Sequence, residues 1–273
     1  MAYRRILTIQ DISCVGQCSM TVALPILSAC GHETCILPTA LLSTHTGGFG
    51  TPAVMHNTVV ADMIAHWKEN GITFDAILAG YLGSITAIEQ TEAIIDTMLA
   101  PGGISIVDPA MADHGKLYSG FDETYARAMG ALCRNADVIL PNITEAAMLS
   151  GNAYREDLSE DYVYKLLTDL DHPRVILTGT AYREGETGIA VWESGSLSHY
   201  SHPRIGKSYH GTGDMFAAAF TGTLMQGLGS LDAVKAAADF VCLSIENTIR
   251  EPAHWYGVKF ETALPSLIRQ LRL

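Results

Sequence analysis

No apolar run in this 273-residue chain approaches the roughly 18 residues that a membrane-spanning helix needs, so no membrane span is expected. Positive charge is scarce. Seventeen Lys and Arg stand against 29 Asp and Glu, a formal net charge of −12, which argues against non-specific nucleic-acid binding. That balance does not exclude a small anionic ligand, because the field inside a pocket can oppose the global charge. The six cysteines (Cys14, Cys18, Cys30, Cys35, Cys133 and Cys242) include no Cys-x-x-Cys pair and no Cys/His spacing of a zinc site. Reduced, buried thiols of a cytoplasmic protein are expected. The stretch Met1–Ile9 carries two arginines, but its apolar part is too short for a signal peptide and reads as a first strand. Repeats, low-complexity tracts and linkers are also missing. Residues 1–273 are therefore expected to form one domain, near the upper size of a single α/β unit.

What is present is an alternation. A hydrophobic content of 48% with 17% charged residues is ordinary for a globular enzyme. Short β-type runs (Arg5–Ile9, Glu33–Leu37, Ala76–Ala79, Ile104–Val107, Val138–Leu140, Arg174–Leu177) are separated by helix-length amphipathic segments. Those segments are Ser19–Cys30, Val54–Asn70, Ile85–Leu99, Glu123–Arg134, Thr144–Ser150 and Leu158–Leu170. This rhythm predicts βαβ units and a mostly parallel sheet with helices on both faces. After Thr178 the pattern changes. Gly188–Glu193 and Ser196–His202 read as an antiparallel pair around Ser194-Gly195, followed by helices over Met215–Gln226, Leu231–Ile249 and Phe260–Leu271.

In parallel α/β sheets, ligands sit beyond the carboxyl ends of the strands. Polar and glycine residues gather there: Asp11 and Ser13, then Ser43–Gly48 with His45 and Thr46, Gly80–Ser84 with Tyr81, Asp108–Asp113, Asn142–Glu145, and Thr178–Thr180. The chain is organised around Tyr209-His210-Gly211-Thr212-Gly213-Asp214, which turns into an apolar helix. Gly211 and Gly213 let backbone N–H groups approach a ligand, and a helix start offers unpaired donors and a positive dipole end, which makes a phosphate socket. Asp214 at its rim suits a general base, or merely a helix cap.

Two familiar nucleotide signatures fail. Ser201–Ser208 comes near a P-loop but has Ser201 where glycine is required, and Phe216 stands where the dinucleotide fingerprint needs a small residue. Glu145 suits either a helix cap or a Mg²⁺ ligand. Asp108 and Asp113 add carboxylates, and Asp113-His114-Gly115-Lys116 reads as a flexible loop whose Lys116 is either solvated or offsets phosphate charge. His45 lies between two threonines in a glycine-rich loop, where a structural role and a substrate role both remain open.

Taken together, Gly211-Thr212-Gly213-Asp214 and Asn142-Ile143-Thr144-Glu145 resemble the anion hole and the metal–phosphate element of the ribokinase-like superfamily. Ile9-Gln10, Ser43-x-His45-Thr46, Gly80-Tyr81-Leu82-Gly83-Ser84 and Asp108-Pro109-x-Met111-x-Asp113-x-Gly115-Lys116-x-Tyr118 are similar to the pyridoxal (vitamin B6) kinases within it. The resemblance spans residues 5 to about 250. It implies an α/β three-layer sandwich that phosphorylates the 5′-hydroxymethyl group of a B6 vitamer with ATP and Mg²⁺, a monovalent cation being a further candidate, and that forms a homodimer. By the same resemblance Asp214 is the base, and the backbone of Gly211, Thr212 and Gly213 holds the transferred phosphoryl group. Asp108, Asp113, Tyr118, Asn142, Glu145 and Thr178 serve Mg-ATP, with Asp113 and Glu145 toward the metal. Asp11, Ser13, His45, Thr46 and Tyr81 face the acceptor. Two features depart from the B6-kinase pattern. Asp11-Ile12 replaces a usual Ser-His, and His210 precedes the glycines as in hydroxymethylpyrimidine kinases, which commonly carry Cys where this chain has Asp214. A hydroxymethylpyrimidine kinase and a non-catalytic vitamer-binding protein are the alternatives.

Overall fold

The computed structural model describes residues 3–206, 209–251 and 253–272. Lys207 and Ser208, which end the P-loop-like stretch, lie outside them, as do Met1, Ala2, Pro252 and Leu273.

In chain order the strands are β1 Arg5–Ser13, β2 Glu33–Leu42, β3 Val54–His56, β4 Phe74–Ala79, β5 Leu99–Val107, β6 Ala112–Asp113, β7 Lys116–Leu117, β8 Val138–Ile139, β9 Arg174–Thr180, β10 Glu186–Glu193 and β11 Ser196–Pro203. The helices are α1 Met20–Ala29, α2 Val60–Glu69, α3 Ile85–Met98, α4 Glu123–Asn135, α5 Ile143–Ser150, α6 Glu160–Asp169, α7 Thr212–Met225, α8 Ser230–Thr248 and α9 Leu264–Gln270. Among the described residues, nine strands form one sheet in the order β11-β10-β9-β8-β5-β4-β1-β2-β3, and β6 pairs with β7 apart from it. The central pairs are parallel; β3, β10 and β11 join antiparallel.

Strand periodicity builds the layers. In β1, Ile6 packs on one face with α1, α7 and α8, while Leu7 and Ile9 pack on the other with α2 to α6. β4 repeats this, with Ala76 and Leu78 on the first face and Ile77 and Ala79 on the second. Two apolar cores thus sandwich one sheet, as the alternation predicts. α7 is buried from Met215 to Thr223 and crosses α1 closely. A Cβ on Gly222 would stand 2.6 Å from the Cys30 sulfur, so only glycine admits that approach.

Three expectations are corrected. Val54–Asn70 is not one helix. Val54–His56 pairs with Ala40–Leu42 as an edge strand, and the helix begins at Val60, after Asn57 turns the chain through its bonds to Pro38 and Val59. Phe260–Leu271 is a 3₁₀ turn over Phe260–Thr262 and a separate helix with Pro265 in its first turn, where a missing N–H costs nothing. The cysteines are free but not all buried, since Cys14 is exposed. No helix among the described residues is long and apolar enough to cross a membrane.

Candidate active site

β1, β2, β4, β5, β8 and β9 deliver their carboxyl-end loops to one edge of the sheet, and α7 starts there. α7 begins at Thr212, three residues earlier than expected, so Thr212, Gly213 and Asp214 form its first turn. Its first intrahelical bond runs from Met215 N–H to Gly211 C=O at 3.0 Å, which leaves the preceding N–H groups ahead of the helical ladder. Gly211 is left-handed (φ 80°), and a Cβ there would lie 1.9 Å from the Gln17 carbonyl oxygen, so no other residue fits. Gly213 is different: a Cβ there would meet nothing within 4 Å, which leaves open space at the helix start. Thr212 turns its hydroxyl to the Tyr209 carbonyl at 3.1 Å.

Asp214 lies partly buried at this start, and its Oδ2 accepts the Ser19 N–H at 2.8 Å. Burial, then the charge of Asp11, push its pKa up to about 6, while the Ser19 bond pulls against them. Asp11, 4% exposed near the end of β1, accepts the Ser13 hydroxyl on Oδ2 at 3.2 Å, and burial raises its pKa also. Ser13 is itself 1% exposed. Between these groups the Cys18 thiol is pushed up to about 12, chiefly by burial, and is held inert as a nucleophile.

A second acidic group surrounds the amino end of α5. Asn142 and Glu145 form a capping box: Asn142 Oδ1 accepts Glu145 N–H at 2.9 Å, and Glu145 Oε2 accepts Asn142 N–H at 2.9 Å. The other Glu145 oxygen accepts Met111 N–H at 3.1 Å and Ala112 N–H at 3.4 Å. Asn142 Nδ2 donates to Ala112 C=O, and Gly115 N–H donates to Thr144 Oγ1. The expected flexible loop is therefore an ordered hairpin, β6–β7, pinned to α5. His114 and Gly115 supply the two positive-φ positions of its turn. Asp113 faces solvent in that turn, accepts His114 N–H and pairs with the His114 ring at 3.6 Å. Asp113 stays near enough to Glu145 for its charge to raise the Glu145 pKa. Among the described residues, no three His, Cys, Asp or Glu side chains stand close enough to hold an ion. Burial nevertheless pushes the Glu145 pKa up to about 8, and burial together with Glu145 and Asp214 raises that of Asp108. Tyr118, 39% exposed, is raised by burial and by Glu145. Thr178 bridges to Asn142 in parallel, and its N–H donates to Pro141 C=O at 2.9 Å.

On the acceptor side, His45 is buried and both ring nitrogens are taken: Nδ1 accepts Gly47 N–H at 3.0 Å and Nε2 faces Tyr256 C=O at 2.9 Å. The Nε2–H tautomer satisfies both contacts, so His45 fastens its loop to the C-terminal segment and spends no nitrogen on a ligand. Thr46, beside it, is exposed. Tyr81 stacks on Phe121 (ring centroids 5.5 Å), which stacks on Tyr125 (3.7 Å). Ser19, Gln17 and the segment His254–Tyr256 were not singled out in the sequence. Gln17 donates Nε2–H to Glu261 and meets His254 Nε2 through Oε1, and Phe49 packs against Trp255 at 4.6 Å. These contacts join positions more than 200 residues apart and leave no local signal.

The fold and most of the sequence match known proteins. The family model described as phosphomethylpyrimidine kinase matches residues 24–257. The chain belongs to that family. Pyridoxal kinase from Lactobacillus plantarum superposes with a TM-score of 0.90 at 32% identity, covering 98% of both chains. A candidate phosphomethylpyrimidine kinase from Bacteroides thetaiotaomicron, crystallised with pyridoxal, superposes at 0.91 and 32% identity, covering 97% of this chain and 96% of its own. The hydroxymethylpyrimidine/phosphomethylpyrimidine kinase of Haemophilus influenzae is 28% identical over 221 residues, 77% of this chain and 79% of that one. The ribokinase-like three-layer fold expected from the resemblance is the fold of this family member. Kinases of the B6 and hydroxymethylpyrimidine classes are its relatives.

Proposed function

We propose that the chain transfers the γ-phosphoryl group of ATP to the 5′-hydroxymethyl group of pyridoxal, pyridoxamine or pyridoxine, with residues 1–273 acting as one cytoplasmic kinase domain. The observation that carries this reading is Asp214: a carboxylate raised to about 6, set in the first turn of α7 beside N–H groups that the helix leaves unpaired. In phosphoryl transfer the protein chiefly positions groups and stabilises charge. Gly211, Thr212 and Gly213 would hold the equatorial oxygens through their N–H groups, and Asp214 would take the acceptor's proton. Thr46 and Tyr81 would contact the pyridine ring. His45 would shape that pocket without touching it.

Asp108 and Glu145, with Asp113 acting on Glu145, fit a hard cation in charge, since the charge of Glu145 raises the pKa of Asp108 and that of Asp113 raises the pKa of Glu145. Because the Glu145 oxygens already accept three backbone N–H bonds, these residues would hold Mg²⁺ mainly through water. Bound there, Mg²⁺ would offset the charge of the ATP phosphates.

A second reading, hydroxymethylpyrimidine kinase, draws support from His210 before the glycines and from the relatives of that class. Asp214 weighs against it and against a non-catalytic binding protein, which has no use for a base at an anion socket. The purified protein is expected to form ADP from Mg-ATP with at least one B6 vitamer at a higher kcat/KM than with hydroxymethylpyrimidine. The reverse order assigns it to thiamine synthesis, and no turnover with any acceptor assigns it to binding alone.

A further inference from the structure

The loop Ser43–Gly50 is rich in glycine, and the reason differs from one glycine to the next. Gly48 and Gly50 have φ of 84° and 83°, which glycine adopts freely and other residues do not. Gly47 has no such φ, so its backbone alone would accept alanine. What stands in the way is His210. A Cβ on Gly47 would lie 2.3 Å from His210 Nε2, 2.4 Å from Cε1 and 2.8 Å from Cδ2, so the edge of the imidazole rests on the glycine. The same ring faces the His45 ring, with centroids 5.1 Å apart. It makes no hydrogen bond among the described residues, and His210 remains exposed overall. Neither a polar bond nor core burial therefore accounts for its place.

We propose that His210 is a positioning residue whose ring sets how closely the acceptor loop approaches the phosphate socket, and that residue 47 is glycine to admit that ring; this rests on the kinase reading above. The loop is gripped at three places. Tyr256 C=O and the close approach of Gly16 hold His45, Trp255 lies on Gly48 and Phe49, and His210 lies on Gly47. The first two grips join the loop to the segment after β1 and to the C-terminal segment. The third joins it to the socket itself, because His210 is the residue before Gly211. In phosphoryl transfer the acceptor hydroxyl must stand in line with the phosphorus, and a misplacement of about 1 Å can cost on the order of 10² in rate. A ring that spends no hydrogen bond on its neighbours acts here through its shape, as a spacer.

The test is a double-mutant cycle on the full-length protein, with Mg-ATP and whichever acceptor, B6 vitamer or hydroxymethylpyrimidine, the parent turns over fastest. His210→Ala is expected to lose about tenfold in kcat/KM for the acceptor, with KM for ATP unchanged. Gly47→Ala displaces either the ring or the loop and is expected to lose at least as much. In the double variant the added Cβ enters space that the ring has left, so Gly47→Ala costs less than about twofold in the His210→Ala background. His210→Phe keeps a flat ring and is expected to retain most of the parent's kcat/KM. A Gly47→Ala protein that overlays the parent overturns the contact, and an equal cost of Gly47→Ala in both backgrounds overturns the pairing. A His210→Phe protein as impaired as His210→Ala overturns the spacer role, and so does a KM for ATP that rises together with the acceptor's. Failure of the kinase reading shows separately, as a parent that forms no ADP with any acceptor. The same cycle in melting temperatures then decides the contact: Gly47→Ala is expected to lower the parent's and to spare that of the His210→Ala protein, and equal shifts in both overturn it.

Discussion

Glu145 Oε1 accepts the N–H of Met111 at 3.1 Å, tying α5 to a hairpin 34 residues upstream in sequence. The same carboxylate closes the capping box with Asn142, so one side chain fixes the helix start and the β6–β7 hairpin together. That arrangement requires an acceptor on both oxygens. The substitution Glu145→Gln puts an NH₂ group against one of these backbone donors, at a cost of about 1–3 kcal/mol for the bond lost and the donor left buried. The expected outcome is a lower melting temperature and faster hydrogen exchange at Met111 or Ala112. If Glu145 also organises the metal, the Mg²⁺ concentration for half-maximal activity rises; a Mg²⁺ titration that overlays the parent's leaves Glu145 as a structural clamp only.

Asp214 couples function to stability. If Asp214 is the base proposed above, its pKa, raised to about 6, is expected to set the acid limb of activity, the carboxylate being ionised above pH 6 and protonated below it. The substitution Asp214→Asn is expected to keep ATP binding and lose about 10²–10⁴ in kcat. Its effect on stability has the opposite sign. A carboxylate whose pKa is raised on folding favours the folded state below its unfolded value, near 4, and that contribution is lost as pH rises through 6. At pH 8 the folded state therefore carries a desolvated charge. A two-unit rise corresponds to about 3 kcal/mol at most, so Asp214→Asn should melt higher than the parent at pH 8, with the gap closing near pH 4. Equal melting temperatures at pH 8 remove the burial explanation for the raised pKa.

The parallel core was legible because its signals are local. Apolar alternation marks β1 and β4, and glycine with an acidic residue punctuates the strand ends. Gly211–Asp214 was legible for the same reason, since a helix start advertises itself in adjacent residues. The flexible loop expected at Asp113–Lys116 is instead a hairpin, because the positive-φ pair His114–Gly115 closes a tight turn there. Val54–His56 misled because its apolar residues run on smoothly into the helix that follows, and only pairing with β2 makes them a strand. Ser19 and His45 lay beyond reach because their partners, Asp214 and Tyr256, are 195 and 211 residues away. No periodicity carries such a contact.

Asp11 is the position at which the chain leaves the B6-kinase pattern, and it lies near enough to Asp214 for its charge to act there. It is buried at 4% exposure, and its charge acts on Asp214, Tyr81 and Cys18. The Ser13 hydroxyl satisfies part of its acceptor capacity, and a carboxylate has room for further donors. Pyridoxamine brings an ammonium and pyridoxine a hydroxyl, whereas the aldehyde of pyridoxal can only accept. A hydrogen bond to a charged group contributes about 1.5–3 kcal/mol, which corresponds to roughly tenfold or more in relative rate. We expect Asp11→Ser to lower kcat/KM for pyridoxamine and pyridoxine by about tenfold relative to pyridoxal. The measurement is kcat/KM for the three vitamers in parent and variant at one pH. If all three fall by the same factor, Asp11 acts through the loop and the base, and the vitamer is chosen elsewhere in the pocket.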